Sequence, residues 1–379
     1  MLEVAFVLQV DGQPASDDLL ESVQAIEVED NAEQADMLRL RLATAVERNG
    51  GRWSVLDAGL FARLTNVQVS AKVGSGTSAP LIDAYVIDLR ASFSSEPGRS
   101  TVEIVGMDAS VLLQLKEEVR RWPDQSDSQI ASAIFSEAGL SADVEDTQPV
   151  RSSRHTTTIQ RGNALRFLRH LAERNGFETF VEVGAGGSSV GHFHAPRLED
   201  EPQGVLNVNM GSDTNIDGFA ARNDLIGPTT AKASGYDAAN RKDQPVDAQS
   251  SQQKSLGAQS TVGGSRPRQV LLANTGLSES GELQSATQAT VDRSAMSVSA
   301  GGTVYGGDYP AVIKAKRPML VRGAGQEFSG AWYVTRVLHT LGDEGYAQHL
   351  SLRRNASGVT RQENFAGSDA AAPQPALPI

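Results

Sequence analysis

The stretch AWYVTRVLHTLGDEGYAQHLSLRRN, from Ala331 to Asn355, alternates along its first arm and then turns back on itself. Successive side chains of an extended strand point to opposite faces. Trp332, Val334, Arg336 and Leu338 therefore share one face, and Tyr333, Thr335, Val337 and His339 the other. A helix would scatter both rows around its circumference. GDEG returns the chain through Tyr346, Gln348, Leu350 and Leu352, which predicts a hairpin. The same period governs the start of the chain. Leu38, Leu40 and Leu42 alternate with Arg39 and Arg41; Val4, Phe6, Leu8 and Val10 form a second row, and Val67, Val69, Ala71 and Val73 a third. PLIDAYVIDL and STVEIVGM add two strands. Gly, Pro, Asn and Ser clusters separate these segments, so residues 1–106 read as an antiparallel barrel or sandwich rather than a βαβ sheet. No glycine-rich phosphate loop interrupts them, which argues against nucleotide binding.

The period changes after Met107. DSQIASAIFSEAGL places Ile130, Ile134 and Ala138 on one helical face, with Asp127 as N-cap and Gly139 as stop. QRGNALRFLRHLAERNG predicts a second helix, capped by Asn163 and ended by Gly176, with Leu165, Phe167, Leu168, Leu171 and Ala172 as its apolar stripe. The strands FETFVEV and VGHFHA follow. Two helices and a hairpin make a small α+β unit over 107–200. Strands resume near GVLNVNM, followed by a polar tract at 237–268 whose composition predicts a mobile loop. A helix over 280–296 carries Leu283, Ala286 or Thr287, and Val291 along one side. The expected fold is α+β and mainly β: two antiparallel β-barrel domains, at 1–106 and 201–355, with the α+β unit between them. The Ala- and Pro-rich segment 356–379 reads as a disordered tail.

Composition limits the function. The chain has 379 residues, enough for two or three cores, and no cysteine, so disulfides, thiolate metal sites and cysteine nucleophiles are excluded. Its formal charge is −12, from 46 acidic against 34 basic residues, which opposes general binding to phosphate backbones. No segment approaches the ~20 apolar residues of a membrane span. The N-terminal MLEVAFVLQVDGQPASDD lacks a basic leader and meets Asp11 too early for a signal peptide.

Chemical motifs are scarce. His192 and His194 stand two apart in GHFHAP and would point to one side of a strand, but no third ligand is signalled nearby, so no metal is assigned. His155 follows arginines without a partner that would make it a base, and His339 reads as a cross-strand packing residue. No serine is assigned as a nucleophile. The adjacent acids Glu117–Glu118 and Glu199–Asp200 read as solvated charge, because glycosidase acids converge from different elements. No catalytic residue and no cofactor are assigned.

Four passages resemble the phage late control D family, the baseplate hub proteins of contractile tails, and the hub portion of VgrG proteins. They are DSQIASAIFSEAGL, TIQRGNALRFLRHLAERNGFETFVE, KASGYDAANRKDQPVDAQ and FSGAWYVTRVLHTLGDEGYAQHLSLRRN. The resemblance implies a non-enzymatic homotrimer that adapts a sixfold tail tube to a threefold spike around a channel for DNA or effector. Its implied partners are the tail tube protein, a separate central spike protein, baseplate wedge proteins and the tape measure protein. It also implies synthesis in the bacterial cytoplasm and residence in a virion baseplate or injection particle. A β-rich carbohydrate-binding or adhesin module shares the acidic, cysteine-free composition, and a cell-wall hydrolase with dispersed acids is the enzyme alternative. Arg166, Arg169 and Arg174 recur every three to four residues on the second helix, so they form either a solvated face or a contact with an acidic partner.

Overall fold

Leu38, Leu40, Leu42, Val67, Val69 and Ala71 are completely buried, while Arg39 and Arg41 reach solvent, as period two requires. These residues belong to a computed structural model that describes residues 4–365 except 48–50, 75, 77, 149, 151–156, 185, 238–241, 274–276, 278–279 and 344. The first part of the chain supplies strands β1 (Val4–Val10), β2 (Val23–Asn31), β3 (Met37–Ala43), β4 (Asn66–Val73), β5 (Ala79–Ser92) and β6 (Thr101–Asp108). The middle holds β7 (Glu117–Trp122), helix α1 (Asp127–Glu137), β8 (Ser141–Val144), β9 (Thr158–Asn163), helix α2 (Ala164–Asn175), β10 (Glu178–Val183) and β11 (Ser189–His194). The last part contains β12 (Val205–Asn207), β13 (Asp217–Asn223), β14 (Thr229–Asp237), β15 (Lys242–Ala248), β16 (Arg268–Leu272) and helix α3 (Ser280–Ala295). It ends with β17 (Val298–Tyr305), β18 (Arg317–Arg322), β19 (Gly330–Gly342) and β20 (Gly345–Arg354). The fold is α+β and mainly β, with antiparallel pairing dominant.

Strands from both ends of the chain join one thirteen-stranded ladder in the order β13-β17-β20-β19-β2-β3-β6-β5-β4-β1, with Gln13–Pro14 beyond β1 and β12–β18 branching from β19. The join is made by β19, which changes partner along one edge. Gly330–Val334 pairs with β18, whereas Arg336–Gly342 pairs with β2. A bulge between Val334 and Arg336 lies where the partner changes. A bulge adds one residue and so reverses which side chains face inward beyond it. Trp332 and Val334 are buried before it, and Val337, His339 and Leu341 after it. The single row Trp332–Val334–Arg336–Leu338 expected from unbroken alternation is therefore split. Arg336 turns toward the surface, where its Nε donates to Glu29 at 2.6 Å.

The β19–β20 hairpin consequently serves two cores. Trp332, Val334, Val337, Leu350 and Leu352 pack in one; Leu341 and Tyr346 join Ile26, Leu40, Val67 and Ile104 in the other. The core of the first six strands is thus completed from the far end of the chain. In the middle, α1 and α2 pack with Trp122 and Phe193 in a third core. The stripe of α2 is buried as its pattern predicts; Asn163 accepts from the Arg166 amide at 2.9 Å and Gly176 closes the helix at φ 72°. On α1 the N-cap is Ser126, boxed with Gln129, one residue before the expected Asp127.

The segment read as a mobile polar loop is ordered where described. β15 pairs along its whole length with β14, and β16 joins β14 in parallel, giving a separate three-stranded sheet packed by Val291 and Ala295 of α3. Leu256 is buried against Tyr333 and Leu198. The tract is poor in apolar side chains, but donors from outside it reach its carbonyls. Arg354, fully enclosed, donates to the carbonyls of Ser329 (3.0 Å), Leu256 (2.7 Å) and Gly358 (3.0 Å), and Asn355 donates to the Lys254 carbonyl at 2.8 Å. Ala356–Ser357, expected in a disordered tail, pairs with Gln259–Ser260; residues 366–379 lie outside the described ones.

Arg354→Met should remove the donor shared by these carbonyls and cost about 2–4 kcal/mol. The expected outcome is an earlier urea midpoint together with new proteolytic cleavage in 249–262. An unchanged midpoint and cleavage pattern would mean that Arg354 does not hold the tract.

Candidate functional site

Where β19 changes partner, the chain entering β18 runs beside the bulge, and the Lys316 amide donates to the Val334 carbonyl at 2.7 Å. The Lys316 ammonium is 1% exposed; it donates to Asp30 Oδ1 at 2.6 Å and to both Asp36 oxygens at 3.0 Å. Asp30 Oδ2 accepts from the Ala315 amide at 2.9 Å. Asp36 Oδ1 also accepts from the Asn31 amide at 2.8 Å, while the Asp36 amide donates to Asp108 Oδ2 at 2.6 Å. Burial lowers the affinity of Lys316 for its proton, but Asp30 and Asp36 outweigh burial and hold the ammonium above its ordinary range. Burial likewise opposes ionisation of Asp30, yet Lys316 and then Lys314 keep it well below the usual carboxylate range. Asp36 goes the other way, raised by burial and by the neighbouring Asp30 and Asp108 charges. A lysine locked in its charged form cannot serve as nucleophile or general base. The cluster joins strands.

The seam continues into the middle unit. The Lys316 ammonium lies 4.8 Å from the Phe180 ring centre, and Phe180 stacks on His192 at 4.6 Å. Arg317 pairs with Glu182 at 2.8 Å, and Glu182 lies 3.4 Å from His192 Nε2. His192 Nδ1 is 3.2 Å from Asp143 and 3.3 Å from His194 Nε2. Burial pushes His192 down to about 4, against the attraction of Glu182. Nearby, burial raises Glu178 to about 7, although the Tyr333 hydroxyl donates to it at 2.7 Å.

The two histidines thus share one side of β11 as predicted, and the missing third donor is Asp143. It comes from β8, which pairs in parallel with β11 and sets Asp143 opposite His192. Nothing in SADV signals that pairing locally. His339 takes the packing role expected of it: it is completely buried, its Nδ1 shares a hydrogen bond of 2.8 Å with the Tyr346 hydroxyl, and burial lowers it to about 3. His155 lies outside the described residues. Glu199 and Asp200 are exposed, and Glu118 meets Lys116 at the surface.

Of the three arginines, Arg166 and Arg169 are exposed on α2. Arg174 is drawn inward instead, with a side chain 11% exposed and bonded to Asp127, which also accepts from Asn175. The expected common face is therefore corrected to Arg166 and Arg169, because the helix spacing placed Arg174 without knowledge of α1. An open cleft of about 1180 Å³ elsewhere is lined by Asp200, Glu201, Asp213, Asp308 and Glu363 against Lys254 and Arg322. No helix among the described residues is long and apolar enough to cross a membrane.

The family model described as the Alg8 N-terminal domain matches residues 2–343. The chain belongs to this family. Its fold is that of tail proteins of known structure. It is similar to the 43 kDa tail protein of prophage MuSo2 from Shewanella oneidensis at 16% identity, covering 92% of this chain and 98% of that one, with a TM-score of 0.61. It is similar to a tail protein from Neisseria meningitidis MC58 at 12% identity, covering 93% and 97%, with a TM-score of 0.65. A third likeness is to an Escherichia coli component of the type VI secretion system, itself described as similar to the T4 tail proteins gp27 and gp5. Identity there is 11%, coverage 94% and 79%, and the TM-score 0.58. No curated protein matches the chain.

Lys316→Met should leave Asp30 and Asp36 without their buried counter-charge and destabilise the chain by about 3–5 kcal/mol, read from denaturant unfolding. A loss below 1 kcal/mol would remove the cluster from its role in the join. Glu178 gives a pH test. Its folded value near 7 lies above the ordinary carboxylate range, so the folded chain holds a proton that the unfolded chain has lost, and stability falls as pH rises toward and through 7. Glu178→Gln should accordingly melt higher than the parent at pH 8, with the gain shrinking at pH 5.

Proposed function

We propose that the chain is a non-enzymatic baseplate hub of the late control D type, resident in a phage tail or injection particle. The observation that carries this reading is the likeness to two tail proteins along 97–98% of their length and 92–93% of this chain. The four passages resembling late control D proteins support the finer assignment. Physical requirements of a hub agree with the fold. An adaptor between a sixfold tube and a threefold spike needs each subunit to present two comparable faces, so that three subunits offer six. Two strand groups, at 1–106 and 201–355, would supply them, with the unit at 107–200 between. Hydrogen bonding between β19 and β2 couples the groups, which suits a part that transmits force.

On this reading the partners are two further copies of the chain, the tube above, a separate spike below, and wedge and tape measure proteins around the ring. The net charge of −12 suits passage of DNA, since phosphates do not adhere to an acidic wall. Arg166 and Arg169 face out from α2 and would meet an acidic neighbour in the assembly, while Arg174 braces α2 against α1.

Mass photometry of the purified chain, alone and with a trimeric spike, should give particles of three chain masses. Monomers under both conditions, at high concentration, would count against the hub. Arg166→Glu with Arg169→Glu should keep the parental melting temperature and weaken assembly; unaltered assembly would assign both residues to a solvated face.

A further inference from the structure

His192 stands between two carboxylates and a second imidazole, and its single proton cannot satisfy all three. The Nδ1 of His194 lies 2.8 Å from the Ala195 carbonyl, which can only accept, so that nitrogen carries the hydrogen and Nε2 is a bare lone pair. This lone pair faces His192 Nδ1 at 3.3 Å, and Asp143 Oδ2 faces the same atom at 3.2 Å. On the far side of the ring, His192 Nε2 lies 3.4 Å from Glu182 Oε1 without a hydrogen-bond partner among the described residues. A neutral ring protonated at Nδ1 turns an Nε2 lone pair on Glu182. Protonated at Nε2, it turns its Nδ1 lone pair on those of His194 and Asp143. An imidazolium would satisfy both sides, but it would put a further charge on a ring that is only 7% exposed, and burying charge is costly.

A metal cation at the point where the three donors converge removes the conflict. We infer that Asp143, His192 and His194 form a binding site for a divalent transition metal of the zinc class. His192 Nδ1, His194 Nε2 and the Asp143 carboxylate lie within 4.8 Å of one another. Two donors bound tetrahedrally at about 2.0–2.1 Å are separated by roughly 3.3 Å, which matches the two short separations seen here. Imidazole donors favour zinc-class ions over calcium or magnesium. With the ion on Nδ1, the His192 proton moves to Nε2 and is donated to Glu182, the carboxylate–histidine–metal arrangement that orients such ligands. The Asp143 side chain is 39% exposed, so the fourth position opens to solvent and takes water or a donor from another chain. Arg197 now bonds Asp143 from that open side and competes with the ion; being 41% exposed, it is free to swing away. The bound ion would tie β8 to β11.

The test uses the full, tag-free chain stripped with EDTA and titrated with Zn2+ against a chromogenic chelator. One equivalent per chain is expected, with Co2+ giving the intense visible absorption of a four-coordinate site and Zn2+ raising the melting temperature. His192→Gln with His194→Gln should abolish the equivalent, and Glu182→Gln should weaken it about 10–100-fold. Arg197→Ala should tighten it, a result that no loss of folding can imitate. The inference is overturned if the parent shows no saturable equivalent, if the double glutamine variant still binds, or if Arg197→Ala leaves affinity unchanged or weaker.

Discussion

One buried ammonium, that of Lys316, sits where strands from the two ends of the chain meet. It bonds Asp30 and Asp36, more than 250 residues away in sequence, beside the bulge at which β19 leaves β18 for β2. A buried ion pair adds little net stability over a well-packed apolar contact, but leaving either partner alone is expensive. Its value is therefore specificity. A register slip between β2 and β19 would move Asp30 away from Lys316 and strand charge in the interior, so a single pairing is selected. The shared hairpin, the split core and the packing of the middle unit all follow from that pairing.

Local periodicity was enough to read most individual elements. The buried rows of β3 and β4 and the stripe and caps of α2 depend on neighbours within a few residues, and those neighbours are written in order. What escaped depends on distant partners. Nothing in AWYVTRVLHT marks Thr335 as the extra residue of a bulge, because the bulge is set by the two strands that flank it. Arg174 was assigned to an outer face by helical spacing alone; Asp127, 47 residues earlier, draws it in. The composition of the polar tract predicts no order because it is poor in core residues, yet Arg354 and Asn355 satisfy two of its carbonyls from outside. The buried site was the least legible part. Lys316 lies in an ordinary basic run, and Asp143 in a four-residue strand whose parallel partner begins almost fifty residues later.

The polar seam also ties the middle unit to the long strand ladder. Phe180 lies under Lys316 and against His192, and Arg317 reaches Glu182, so the ring that packs on the ammonium also fixes the histidine. Charge and packing are coupled along one line from Asp108 to Asp143. Each group on it is held by a neighbour from a different stretch of the chain.

The far-end origin of the hairpin bears on how the molecule is made. During synthesis, β2, the turn before β3 and β6 leave the ribosome carrying Asp30, Asp36 and Asp108, which are destined for the interior, while their counter-ion lies at residue 316 and the closing side chains Leu341 and Tyr346 later still. Contacts of such long sequence separation form late and slowly. The first strands emerge before they can complete their core, which closes only once Tyr346 has been translated.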